Sequence, residues 1–376
     1  SILYYSQGKF QEAEKLQRQS LSILQSVLGS NHPKVAECRH NLARIYSKLA
    51  RYGEAERGFK ESLSIRELVL GPRHPDVAST MNELAYQYST EGKYSLALSL
   101  YEKSKVMIQE SFGTSHPEYA GVISNIAWIY FKQAQYRDAG LLYLQSLRIR
   151  EEALGMDHPE IARSLHELAE LCQKLGDYSQ ADTYNKRALS IRTQALGTAH
   201  ADVARSLYNI GIVSFSTGDY QNAEVMQNAA KVNLTQAFGN NHPKVAQCMQ
   251  ELGRIKLKQG RYEEAEQFFE RALDIRQSAF NDDPMHPDTA ESLQWIAYLD
   301  GTRGQYQAAE EYFKKAIRML EHVYNTEKHP DLVFVKSNYA WILFKQGRYA
   351  EAEKIYQQSL AIRESFFGKE HPDVGR

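Results

Sequence analysis

The chain has 376 residues, 43% of them apolar and 24% charged, with 45 basic against 46 acidic side chains. This balance supplies no global basic field, so the composition argues against nucleic acid and anionic membranes as partners. The apolar fraction is too high for a disordered chain, and neither an apolar run of the roughly 18–20 residues needed for membrane insertion nor a signal peptide is present.

Read in chain order, a 42-residue period emerges, and 376/42 is 8.95. Residues 1–31 hold the end of one predicted helix and a second helix, a partial repeat. From there a ladder of histidines runs through His32, His74, His116, His158, His200, His242, His286, His329 and His371, spaced 42, 42, 42, 42, 42, 44, 43 and 42 residues apart. Proline follows each except His200, where Ala201 stands. Proline fits the first helical position, whose N–H has no intrahelical partner, so each His-Pro predicts the start of a first helix. Eleven residues on, the side chain is always small (Ala43, Ala85, Ala127, Ala169, Gly211, Gly253, Ala297, Ala340), which lets a neighbouring helix approach closely. Eighteen residues after the histidine a Gly-x-Tyr turn ends that helix, as at Gly92-Lys93-Tyr94, with Ala50 and Ala134 replacing glycine in two repeats. A second helix then runs through a constant alanine and, in most repeats, closes at Leu-Gly or Phe-Gly three residues before the next histidine. Gly368 belongs to that series.

No strand period competes with this pattern. One helical pair cannot bury its own apolar face, whereas stacked pairs can. The expectation is a single all-α, right-handed α-solenoid of antiparallel helix pairs, with eight complete repeats over 32–370 and a further one starting at 371–376. Polar capping elements are visible at neither end, so the chain reads as a piece of a longer protein. The three cysteines, Cys38, Cys172 and Cys248, fall in helices of different repeats without a CxxC, as expected of reduced thiols in a cytoplasmic protein.

The Gly-x-Tyr-x-x-Ala turn, the small residue of the first helix and the aromatic of the second resemble the tetratricopeptide repeat. The 42-residue spacing and the His-Pro-x-Val-Ala … Leu-Ala … Gly-x-Tyr-x-x-Ala-Glu … Ile-Arg … Leu-Gly signature look like the longer variety of kinesin light chains and nephrocystin-3-like proteins. The resemblance spans essentially the whole chain. It implies a concave groove lined by first helices, in which asparagines contact a bound peptide. The matching positions are Asn41, Asn125, Asn209 and Asn338, with Glu83, Glu167 and Glu251 in the alternate repeats.

Catalytic motifs are weak. His166-Glu167-Leu168-Ala169-Glu170 lacks the second histidine of a zinc-protease helix, Gly-Lys is never followed by Ser or Thr, and neither GxGxxG nor GxSxG occurs. The histidine ladder cannot converge on one metal, because stacked repeats stand roughly 8–10 Å apart. No cofactor is expected, and the Ile-Arg pairs, such as Ile149-Arg150, read as packing and surface contacts. Function is therefore sought where repeats differ. Positions 5, 9, 12 and 16 after the histidine share one helical face, and it carries all three tryptophans, Trp128, Trp295 and Trp341. Asn125, Trp128, Arg163, Arg205, Asn209 and Arg254 are the candidate patch, with Asn41, Trp295, Asn338 and Trp341 as further binding residues. The reading is a non-enzymatic scaffold that takes a peptide or helix with acidic and apolar residues. The alternative is the sensor region of a larger protein such as a repeat-bearing ATPase.

Overall fold

A computed structural model describes residues 1–280, 285–327 and 329–367, with the side chains of residue 2 and residues 365–367 left aside. His371, Gly368 and the start of a further repeat lie outside the described residues, as does most of the insertion before His286. Among the described residues there are eighteen helices and no strand. They form two compact units, Ser1–Thr198 and Ala199–Arg376.

The first unit runs α1 (Ile2–Ser6), α2 (Phe10–Leu28), α3 (Pro33–Lys48), α4 (Tyr52–Leu70), α5 (Pro75–Thr90), α6 (Tyr94–Phe112), α7 (Pro117–Lys132), α8 (Tyr136–Leu154), α9 (Pro159–Lys174) and α10 (Tyr178–Leu196). The second runs α11 (Ala201–Ser216), α12 (Tyr220–Phe238), α13 (Pro243–Lys258), α14 (Tyr262–Ala279), α15 (Pro287–Thr302), α16 (Tyr306–Tyr324), α17 (Pro330–Lys345) and α18 (Tyr349–Phe367). Helices pack mainly against their neighbours in sequence, as an α-solenoid requires.

Each ladder histidine from His32 to His329 is the N-cap of a first helix. Its ring Nδ1 accepts the backbone N–H two residues on, at 3.1–3.2 Å. One of the orphan amides of the first turn is thereby satisfied. The same ring stacks on the aromatic that ends the preceding helix in several repeats: His116 on Phe112, His242 on Phe238, His286 on Phe280 and His329 on Tyr324. An imidazole can cap and stack at once, which a serine or aspartate cannot.

Second helices that close on glycine leave through a backbone reserved for that residue; Gly71, for example, has φ 87 and ψ 154. The two loops without this glycine are the two longer ones, and there the helix ends on Phe280 at φ −117 or on left-handed Asn325. The turn between the helices of a repeat is left-handed at its glycine, and Ala50 and Ala134 adopt the same sign, with φ 57 and 56.

Core clusters in each unit join the helices of successive repeats. In the first, Phe131 of α7, Tyr143 and Leu147 of α8, Leu165 and Leu171 of α9 and Ile191 of α10 form one cluster. In the second, Leu234 of α12 packs with Val245 and Cys248 of α13 and Ile275 of α14. The small residue of the first helix is a seat for the second helix: a Cβ on Gly253 would meet the Phe269 ring at 2.6 Å. The Ile-Arg pairs, expected as packing and surface contacts, are buried packing contacts at Arg66, Arg150, Arg192 and Arg276, which corrects the surface part of the expectation. Arg66 Nη1 donates to the Asp76 carbonyl and to Thr80 Oγ1, Arg150 Nη1 to Ser146 and Ser164, and Arg276 Nη1 to Asp288 O and Ser292 Oγ. Each is a buried tie from a second helix to the first helix of the next repeat.

Candidate protein-interaction site

First helices of successive repeats touch one another, as α3 does α5, α7 does α9, and α15 does α17, more than second helices do. Each unit therefore curves toward its first helices, and their free faces form its inner side. Positions 5, 9, 12 and 16 lie on that side. Most are exposed or half-buried, whereas the small and apolar positions between them are buried. Asn209 and Glu251 are the exceptions, both buried.

In the first unit, α7 and α9 bring three candidates together. Arg163 Nη2 donates to Asn125 Oδ1 at 3.4 Å, and its Nε donates to Glu167 Oε1 at 3.2 Å. Glu167 also accepts from Ser124 of α7. Trp128, one turn from Asn125, is half-buried. Its ring meets Tyr94 edge-on at 6.5 Å, and the Lys132 ammonium lies 5.0 Å over it, a favourable cation–π distance. Asn41 stands apart on α3, half-buried.

In the second unit the candidates form a run of rings. The Arg254 guanidinium lies 4.9 Å from both Phe215 and Trp295 and grips both oxygens of Glu251 at 2.8 and 2.6 Å. Burial pushes the Glu251 carboxyl upward, against the pull of Arg254. Trp295 stacks on Phe269 and meets Tyr298 at 5.8 Å; Tyr298 stacks on Trp341 at 5.4 Å. Trp341 rests where Gly301 leaves room, since a Cβ there would lie 2.8 Å from its Cζ3. Asn338 sits half-buried between Trp341 and the exposed Phe334 on α17. Arg205 stands on α11 with Asp202 at 3.6 Å, and Asn209 is buried on the same helix.

Two features qualify the candidate patch, of which neighbouring Arg–carboxylate pairs were the rival expectation for this face and the second was missing from the sequence reading. Every arginine of the patch already faces a carboxylate: Arg163 with Glu167, Arg205 with Asp202, Arg254 with Glu251. Phe215 and Gly301 build the ring run but lie off the chosen helical positions, one residue before position 16. Among the described residues no group of three or more His, Cys, Asp and Glu side chains could hold a metal, and no helix is long and apolar enough to cross a membrane.

A tetratricopeptide-repeat family model matches residues 1–67, 48–105, 76–152, 142–194, 160–231 and 202–278, and a second one matches 289–331 and 336–373. The chain belongs to the tetratricopeptide-repeat family. No curated protein matches this tetratricopeptide-repeat chain. Solved structures similar to it include a putative kinesin light chain of Podosopora anserina, 22% identical, TM-score 0.44, over 55% of this chain and 97% of that one. A Rap protein complexed with competence and sporulation factor is 16% identical, TM-score 0.63, over 97% and 96%. The Rap conjugation gene regulator of plasmid pLS20, in complex with a Phr peptide, is 14% identical, TM-score 0.58, over 96% and 95%. At these identities the likeness is one of fold.

Proposed function

We propose that this tetratricopeptide-repeat chain is a non-catalytic scaffold of the cytoplasm that binds a peptide or partner helix along the inner face of its first helices. The observation that carries this reading is the placement of the three tryptophans. All lie on the inner face and all are half-buried, Trp128 and Trp295 with one side against the core and the other open. Tryptophan and arginine dominate interface hot spots because they supply a large contact area that sheds water. Carboxamides at Asn41, Asn125, Asn209 and Asn338 offer a donor and an acceptor to an extended backbone. A partner segment with acidic and apolar residues suits the arginines, which would exchange their internal carboxylates for the ligand's. The Rap regulator solved with a Phr peptide is a fold neighbour consistent with this use. Repetition favours a scaffold over an enzyme, since catalysis needs a local irregularity that these repeats lack.

The test is alanine at Arg163, Arg205 and Trp128 together. Partners are captured with the wild-type chain, the bound segment is mapped, and its synthetic peptide is titrated against both proteins. At the usual worth of hot-spot side chains, ~2 kcal/mol each, the variant binds at least tenfold more weakly while its helical circular dichroism is unchanged. Equal affinity at equal stoichiometry sinks the reading.

A further inference from the structure

Two sets of three successive repeats carry the same side chains along the inner face. Twelve residues after the histidine, the repeats of His32, His74 and His116 place Arg44, Tyr86 and Trp128. Those of His242, His286 and His329 place Arg254, Tyr298 and Trp341. Sixteen residues after it, the first set has Lys48, Thr90 and Lys132, and the second has Lys258, Thr302 and Lys345. The six pairs agree in type and in order. One set lies wholly in each unit.

The fold does not require this agreement. The two repeats between the sets carry Glu170 with Lys174, and Ile212 with Ser216, yet form first helices of the same length. None of the twelve residues is buried, although Trp128 and Tyr298 rest one side of their rings on the core of their units. Simple duplication of a block does not account for them either, because nearby positions on the same face have drifted. Asn41 corresponds to Glu251, Glu83 to Trp295 and Gly121 to Phe334. Of the six pairs at positions 5 and 9, only Asn125 and Asn338 agree.

We infer that each unit carries one copy of the same docking station, so that a single chain binds two copies of one acidic, apolar-anchored segment. This rests on the inner-face reading above and replaces its single patch with two stations. Each station offers an arginine and two lysines beside a tyrosine and a tryptophan; the arginine meets a carboxylate of the neighbouring position-9 row, Arg44 with Glu83 at 3.9 Å and Arg254 with Glu251 at 2.6 Å, which leaves the lysines as the station's open charge. In the second unit Tyr298 stacks on Trp341; in the first, Tyr86 is exposed and Trp128 meets Tyr94 edge-on. An apolar or aromatic side chain laid on the Tyr–Trp pair would place neighbouring carboxylates against the lysines of position 16. Lys132 already holds its ammonium over the Trp128 ring, where ring and charge act on one ligand residue.

The experiment starts with an array of ten-residue peptides, each carrying one Trp, Tyr, Phe or Leu flanked by Asp and Glu. The tightest binder is titrated calorimetrically into the full chain. Two equivalents bind per chain. Trp128→Ala and Trp341→Ala each reduce this to one, and the double variant binds at least tenfold more weakly overall. The exposed-face reversals Lys132→Glu and Lys345→Glu give the same pattern should an alanine variant lose its helicity. One equivalent per chain, lost through one tryptophan and indifferent to the other, overturns the two-station inference and leaves the single-patch reading standing. No binder in the array, or binding that none of these variants changes, overturns both.

Discussion

Exchanging a buried polar tie between repeats for an apolar one tests how the stack is held. At the α8–α9 interface, Arg150 is 1% exposed and donates to the hydroxyls of Ser146 and Ser164, both fully buried. Equivalent interfaces match polar with polar, as Arg66 with Thr80 and Arg276 with Ser292, or apolar with apolar. Ile108 and Val122, and likewise Leu320 and Val335, occupy the same two positions and are buried. Arg150→Ile alone removes a charged donor and strands the Ser164 hydroxyl, a loss of about 1–3 kcal/mol. Ser164→Val alone takes an acceptor from a guanidinium whose Nε already lacks a hydrogen bond and has only Glu160 as a 3.7 Å ion-pair partner, for about 2–4 kcal/mol. The double variant recreates the Ile–Val pair and sheds the desolvated charge, so it lies within about 1 kcal/mol of wild type or above it. Stability in a solenoid is local, so the assay is native-state hydrogen exchange of α8 and α9 amides, where about 1.4 kcal/mol is a tenfold change in protection. A double variant no better than the sum of the singles would refute the matched-tie reasoning.

Three further outcomes follow from the geometry. Ala50→Gly and Ala134→Gly relieve left-handed backbone and stabilise the chain by about 0.5–1 kcal/mol each, the strain exceeding glycine's extra unfolded-state entropy; thermal unfolding reads this as a rise in the midpoint. Gly301→Ala drives a Cβ against Trp341 and Ile342, costs about 1–3 kcal/mol and changes the fluorescence of the displaced indole, whereas a silent substitution would deny that seat. The His242 cap needs an unprotonated Nδ1, and burial beside Lys244 pushes this histidine down from 6.5 to about 4. Its contribution is intact above pH 6.5 and is lost as pH falls toward about 4, where the unfolded chain takes up a proton that the folded one refuses. His242→Asn keeps a capping side chain without titrating there, so urea midpoints measured across this window flatten for the variant, and an unchanged slope would contradict the role.

Much of the fold was legible because each repeat restates the same physical requirements. Proline after the histidine, a small residue at position 11 and the Gly-x-Tyr turn mark helix starts, seats and stops, and the helices lie where those residues put them. What was not legible depends on side-chain geometry. The histidines read as markers of a helix start; that their rings accept a backbone N–H while stacking on Phe238 or Tyr324 needs coordinates. The Ile-Arg pairs read partly as surface, because arginine is seldom buried. The signal that could have corrected this was the Ser or Thr in the following first helix, Thr80 for Arg66, Ser164 for Arg150, Ser206 for Arg192 and Ser292 for Arg276. On the candidate face, periodicity found the right side of the helix but not the local pairing. Neighbouring Arg–Glu pairs were a general expectation there, but which ones form, such as Arg254 with Glu251 one turn before it, needs coordinates. Asn209 shares the face of Asn125 but is buried. The division at Thr198 and Ala199 has no counterpart in the ladder, whose spacing there is an unbroken 42.

The central claim is that the inner face of the first helices receives the partner. Hydrogen exchange of the whole chain, with and without a bound partner segment, tests it most directly. Protection should rise in first helices, foremost α7 and α17 around Trp128 and Trp341, and stay unchanged along the outer surfaces of α6, α8 and α12. Protection confined to the second helices would contradict it.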